Sequence, residues 1–148
     1  MPPPASDRRY TFPRTHRLKR RRLIASLFDR SRDDVHTVAR STVRLVYRWA
    51  SHEEVGYDVP LQVGFAPGRT YTTNVQRTQT RRYLREAYRH HQHTLREALP
   101  AEAPPLIAML LFRGRPEHAR TRIPIDVPRV LRAAAHMLPD RPASLPAD

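Results

Sequence analysis

Residues 106–112 read Leu-Ile-Ala-Met-Leu-Leu-Phe, an unbroken apolar run. It is far shorter than the ~20 residues that cross a bilayer, and too uniformly apolar for a strand with one wet face. A central strand covered on both faces reads this way, so the chain has to build a sheet with helices packed on it. The 148 residues suit a single domain.

The surrounding pattern supplies the partners. Residues 18–28 predict a first helix, with Leu23, Ile24, Leu27 and Phe28 on one face opposite Arg20, Arg21 and Arg22. Residues 42–50 alternate as a strand, placing Val43, Leu45 and Tyr47 on one face and Val46 on the other. A further strand is expected within residues 35–40. Residues 51–56 read as a polar connection, and residues 60–65 as a strand ended by Ala66-Pro67-Gly68. A long helix is predicted over 78–99, with Leu84, Tyr88, His91, Leu95 and Ala98 as its buried stripe. A last helix is expected with Asp126 as N-cap and Pro128 in its first turn. The fold class is α+β, a single-domain α/β sandwich with helices on a small mixed sheet. Residues 1–11 and 139–148 are Pro-rich and charged and are expected to be flexible tails around a domain at 12–138.

The net charge is +13, and all of the excess falls in two segments. Residues 1–22 carry eight cations against Asp7, and residues 69–96 carry seven against Glu86. The remainder is balanced overall. A polyanionic partner is implied, and 26 of the 27 cations are arginine, whose planar fork suits phosphate. On the long helix Arg77, Arg81, Arg85 and Arg89 follow at i+4 spacing, a repulsive arrangement that a phosphate backbone relieves.

Autonomous catalysis finds no support. The acids are scattered, the pairs Asp33-Asp34 and Glu53-Glu54 fall in expected loops, and no P-loop or nucleophile-base arrangement occurs. The His90-His91-Gln92-His93 run lacks a matching acid or Cys at ligand spacing. No catalytic residue, protein-held metal or small-molecule substrate is expected. With no cysteine, no apolar leader in residues 1–9 and no membrane span, a cytoplasmic location is expected.

The segment Phe12-Pro13-Arg14-Thr15-His16-Arg17-Leu18-Lys19 followed by Arg22-Leu23-Ile24-Ala25-Ser26-Leu27-Phe28 resembles the opening of bacterial ribonuclease P proteins. Arg44-Leu45-Val46-Tyr47 and Val63-Gly64-Phe65 resemble the family's next two blocks. Residues 77–89, with Leu84-Arg85-Glu86-Ala87-Tyr88-Arg89 the most specific part, resemble its signature helix. The similarity runs in order over residues 12–138. Where the family usually reads Arg-Asn-Arg, this chain has Arg77-Thr78-Gln79, and it keeps one cation, Arg69, of the pair that usually follows Val-Gly-Phe.

The resemblance implies a left-handed βαβ crossover and a protein subunit joining a catalytic RNA. Its partners are then ribonuclease P RNA and precursor tRNA, whose 5′ leader is removed with Mg²⁺ held through the RNA. It implies RNA contact by Arg69, Arg77, Arg81, Arg82, Arg85, Arg89, Arg17, Lys19 and Arg20. Phe12, Phe28 and Tyr47 are candidates to line a cleft for the leader. The charge pattern alone fits two other classes. One is an RNA-packing protein such as a ribosomal one, which leaves the ordered blocks unexplained. The other is a DNA-binding regulator, which the scarcity of Asn and Gln for base reading disfavours.

Overall fold

The computed structural model describes residues 11–68 and 73–138. Residues 1–10 of the expected tail at 1–11, the expected tail at 139–148 and Arg69 lie outside the described residues. The elements are α1 (Arg21–Leu27), β1 (His36–Arg40), β2 (Val43–Trp49), α2 (His52–Val55), β3 (Leu61–Ala66), α3 (Asn74–Arg96), β4 (Leu106–Phe112) and α4 (Ala119–Met137), with short 3-10 turns at Arg14–His16 and Pro116–His118. The four strands form one mixed sheet in the order β1-β2-β4-β3. β4 pairs antiparallel with β2 and parallel with β3, which reaches it through α3.

β4 is the central strand that its apolar run requires, and alternation along it separates two cores. On one face Ala108, Leu110 and Phe112 join Leu45, Tyr47 and Val63 under the long helices, which contribute Leu84, Tyr88, Ile123, Val127 and Leu131. On the other face Ile107 and Met109 join Val46, Leu23 and Leu27 beneath α1. α3 packs on β3 and β4, while α4 packs on β1 and β2, so the two lie side by side.

The first helix is shorter than its apolar pattern suggests. Residues 12–18 form a strap on the free edge of β3, where the Leu18 amide donates to the Val63 carbonyl at 3.0 Å. This commits Leu18 to extended backbone, and the helix starts only at Arg21. Gly64 permits the close approach, because a Cβ there would stand 3.1 Å from the Leu18 carbonyl oxygen and against the Met109 sulfur. Thr11, assigned to the first tail, is held by Gln92, whose amide nitrogen donates to its carbonyl. The connection at 51–56 contains α2, closed by a capping box in which Ser51 and Glu54 satisfy each other's backbone amides.

α3 begins four residues before the expected position, because Thr73 serves as N-cap by accepting from the Gln76 amide at 3.2 Å. It ends at Arg96, three residues earlier than expected. α4 is corrected more strongly. It runs through Pro124 and Pro128, and Asp126 is a fully buried side chain in mid-helix, not an N-cap. Apolar residues at Ile123, Val127, Val130 and Leu131 carry the helix past both prolines, so tertiary burial overrides the breaker signal.

Asp126 ties α4 to the β1–β2 hairpin. Its carboxylate accepts from the Thr42 hydroxyl at 2.6 Å, the Thr42 amide at 3.2 Å and Arg122 at 2.8 Å. The turn it holds places Ser41 at φ 53, a conformation that costs a non-glycine residue. Burial alone would raise the Asp126 pKa, but the Thr42 and Arg122 hydrogen bonds hold it below the ordinary value. Its stabilisation is therefore complete above the unfolded value of about 4 and is lost as pH falls through the lower folded value. Asp126→Ala is expected to cost about 3 kcal/mol at neutral pH. Denaturant titrations at pH 7 and pH 3 check this: the gap between wild type and variant should shrink at the lower pH, and a gap independent of pH contradicts the assignment.

Candidate nucleic-acid interface

The buried side of α3 is formed by Thr80, Leu84, Ala87, Tyr88, Gln92 and Leu95. His91 is half-buried and Gln92, not His91, is the buried polar residue of the stripe. Tyr88 makes an edge-on contact with Phe12 at 5.4 Å, and Gln92 holds the Thr11 carbonyl, so this flank of the helix meets the strap. Arg81 and Arg85 each lie seven residues, two turns, ahead of Tyr88 and Gln92 and therefore share that flank. Arg77, Arg81, Arg82 and Arg85 are exposed, whereas Arg89 is half-buried and pairs with Glu86 at 2.9 Å.

The strap carries the chain across the β3 edge. Phe12 belongs to the core under the long helices, and Leu18 to the core under α1. Arg14 and Arg17 lie between these points, and Lys19, Arg20, Arg21 and Arg22 lead into α1. A basic belt thus runs from α3, around the β3 edge, to α1. Within it Arg17 is committed to structure, with its guanidinium 5.4 Å above the Phe12 ring and 3.4 Å from the Phe12 carbonyl. Arg20 donates to the Glu54 carbonyl at 2.8 Å while remaining exposed. His16 adds no charge to the belt at neutral pH, since burial and the nearby Arg96 lower its pKa.

The cleft candidates separate sharply. Tyr47 is 1% exposed and Phe12 8%. Tyr47 stacks on His36 at 5.6 Å on the long-helix face, the side away from α1. Phe12 packs edge-on against Phe65 and Tyr88. Both are core residues, and their assignment to a cleft is corrected. Phe28 goes the other way: it is the C-cap of α1 and 50% exposed, so it does not join the core face its spacing suggested.

Beside α1, the same face of the sheet carries a further row of side chains at the Ala66 end of β3. Alternation places Arg44, Leu111 and Ala66 in one row across β2, β4 and β3 on the α1 face. Leu111 and Ala66, with Ile24, are half-buried against the α1 core. The Arg44 Nε is buried with no hydrogen-bond partner among the described residues. The signal for Arg44 was its position between Val43 and Leu45, which turns it to the face opposite Tyr47.

Glu54, placed in an expected loop, receives the buried Arg48 guanidinium at 3.1 Å while remaining exposed. The three histidines of the 90–93 run diverge. His90 lies near Glu86, and His91 is half-buried with its pKa lowered by burial and by neighbouring His93, His90 and Arg132. Among the described residues no three His, Asp or Glu side chains gather as a metal site would, and no helix is long and apolar enough to cross a membrane.

A family profile described as Ribonuclease P matches residues 12–103. Among solved structures, the chain is similar to a ribonuclease P protein from Staphylococcus aureus, with a TM-score of 0.56 at 12% identity over 84% of this chain and 93% of that one. A second structure of the S. aureus protein gives 0.54 at 15% identity, covering 80% and 94%. A mutant of it, described as defective in mRNA degradation activity, gives 0.54 at 15%, covering 80% and 87%. These identities speak for the fold alone. No curated protein matches in sequence.

Proposed function

The chain belongs to the ribonuclease P protein family, and from that membership we propose that it binds the catalytic RNA and the 5′ leader of precursor tRNA to support maturation of the tRNA 5′ end. The observation that carries this reading is the exposed series Arg77, Arg81, Arg82 and Arg85 on one long helix, continuous with the cations of the strap. Structured RNA meets that belt through its phosphates. The single-stranded leader lies on the sheet face beside α1, with exposed Phe28 offering a ring for stacking and Arg44 a charge for its phosphates. Bond cleavage belongs to the RNA, which also holds the Mg²⁺. The chain's own part is to bind both RNAs and fix the leader relative to the catalytic RNA, in the cytoplasm where tRNA is processed.

Cleavage of a leader-bearing precursor tRNA by the cognate RNA at limiting Mg²⁺, with and without the protein, tests this. Protein is expected to lower the Mg²⁺ needed, and protein alone to cleave nothing. Equal cleavage at low Mg²⁺ in both cases sinks the proposal. Co-purification with ribosomal subunits in place of one structured RNA would favour an RNA-packing role.

A further inference from the structure

The balanced charge outside residues 1–22 and 69–96 conceals an uneven distribution. Its acids concentrate at 29–58 and 97–102, whereas residues 113–132 contain six arginines against Glu117 and Asp126. The fold gathers four of these with Arg40 at the β1–β2 hairpin. Asp126, anchored to Thr42, receives Arg122 at 2.8 Å and Arg129 at 3.5 Å, and Arg122 also reaches the Ser41 hydroxyl at 3.3 Å. The Arg113 amide donates to the Thr42 carbonyl at 2.6 Å. Gly114 lies so close to the hairpin that a Cβ would stand 3.0 Å from the Thr42 methyl, which keeps Arg113 and Arg115 beside the turn. Arg40, Arg113, Arg115 and Arg129 are exposed.

Neutralising one buried carboxylate requires one guanidinium, and here two converge on it with three more alongside. Glu117, the other acid, stands 4.0 Å from Arg115, whose side chain is 78% exposed. The cluster therefore keeps a large positive excess, and Asp126 fixes two of its forks in place rather than cancelling them.

Its position sets it apart from the basic belt. The belt follows the strap on the β3 edge, whereas the cluster sits at the turn joining β1 and β2 and on α4, with β4 lying between that turn and β3. We propose that the hairpin cluster is a second RNA-backbone contact, through which the protein holds a separate RNA segment from the one bound by α3. The proposal rests on the reading that the chain binds RNA. Such a site contacts phosphate and carries no base specificity, since it offers only guanidinium donors.

The test combines Arg40→Ala, Arg113→Ala and Arg115→Ala, none of which removes a partner from buried Asp126. Thermal melting confirms folding, and anisotropy follows binding to the cognate ribonuclease P RNA and, separately, to precursor tRNA across a KCl series. The salt slope is expected to fall by about two to three units for at least one RNA. The loss should also add to that of an Arg81→Ala/Arg85→Ala variant. Unchanged slopes for both RNAs overturn the proposal, as does a triple substitution with no effect in the α3 variant background, which would mean one shared site. A loss from the triple variant with none from the α3 variant upholds this site and removes the α3 face from the proposed function.

Discussion

Arg48→Ala is expected to lower stability by about 2–4 kcal/mol, from the volume emptied by a large buried side chain and the hydrogen bonds lost with it. Arg48 is 2% exposed, yet its guanidinium is fully engaged. Nε donates to the Ser26 hydroxyl at 3.0 Å, Nη1 to the Trp49 carbonyl at 3.0 Å and Nη2 to Glu54 at 3.1 Å. One side chain from β2 thus holds the last turn of α1 and the whole of α2. The seven residues of α1 are too few for independent helicity, so the helix depends on this anchor and on Leu23 and Leu27. Lysine has a compact ammonium without the planar fork and should recover only part of the loss. Denaturant unfolding measures both variants. Since Glu54 is 40% exposed and readily rehydrated, the loss comes mainly from the emptied volume and the freed α1. A change below about 1 kcal/mol in Arg48→Ala would mean that the network holds nothing.

Arg48 also shows where the sequence stops being legible. Periodicity correctly turns it to the α1 face, because Val43, Leu45 and Tyr47 claim the other, but periodicity says nothing of depth. A charged residue there reads as solvated until Ser26 and Glu54 come over it from two separate elements. The apolar run of β4 was legible because being covered on both faces leaves a one-dimensional mark. The Leu84–Tyr88–Leu95 stripe was legible for the same reason. Periodicity could not place Phe12 or Phe28, because the strap decides the first and the C-terminal end of α1 the second. The strap's pairing with the β3 edge pulls Phe12 into the Phe65–Tyr88 cluster, whereas α1 ends at Leu27 and leaves Phe28 as its exposed cap. Asp126 looked like an N-cap beside Pro128, and only the long-range contact with Thr42, 84 residues away, gives it another task. Local patterns locate faces, whereas partners brought together over such distances remain hidden.

The α3 arginines give the largest expected effect on function, and its sign on stability is the reverse of Arg48. In the Arg81→Ala/Arg85→Ala variant, two exposed cations leave the flank of α3 that meets the strap. The free protein should melt no lower than wild type. Alanine is the best helix former, and removing like charges at i, i+4 relieves a few tenths of a kcal/mol per pair. RNA affinity should nonetheless fall by roughly 10- to 100-fold at physiological salt, with a slope reduced by about two units, one per lost phosphate contact. Opposite signs in the two measurements identify a binding surface, since a misfolded variant would lose both. Thr78 and Gln79 stand one turn ahead, exposed on the same helix where the family usually carries Asn and Arg. Gln79→Arg should steepen the salt dependence by about one unit if the RNA extends along α3 to its first turns. Titration of both variants with the cognate RNA over a KCl series decides the matter, and a wild-type slope in the double alanine variant takes α3 out of the interface.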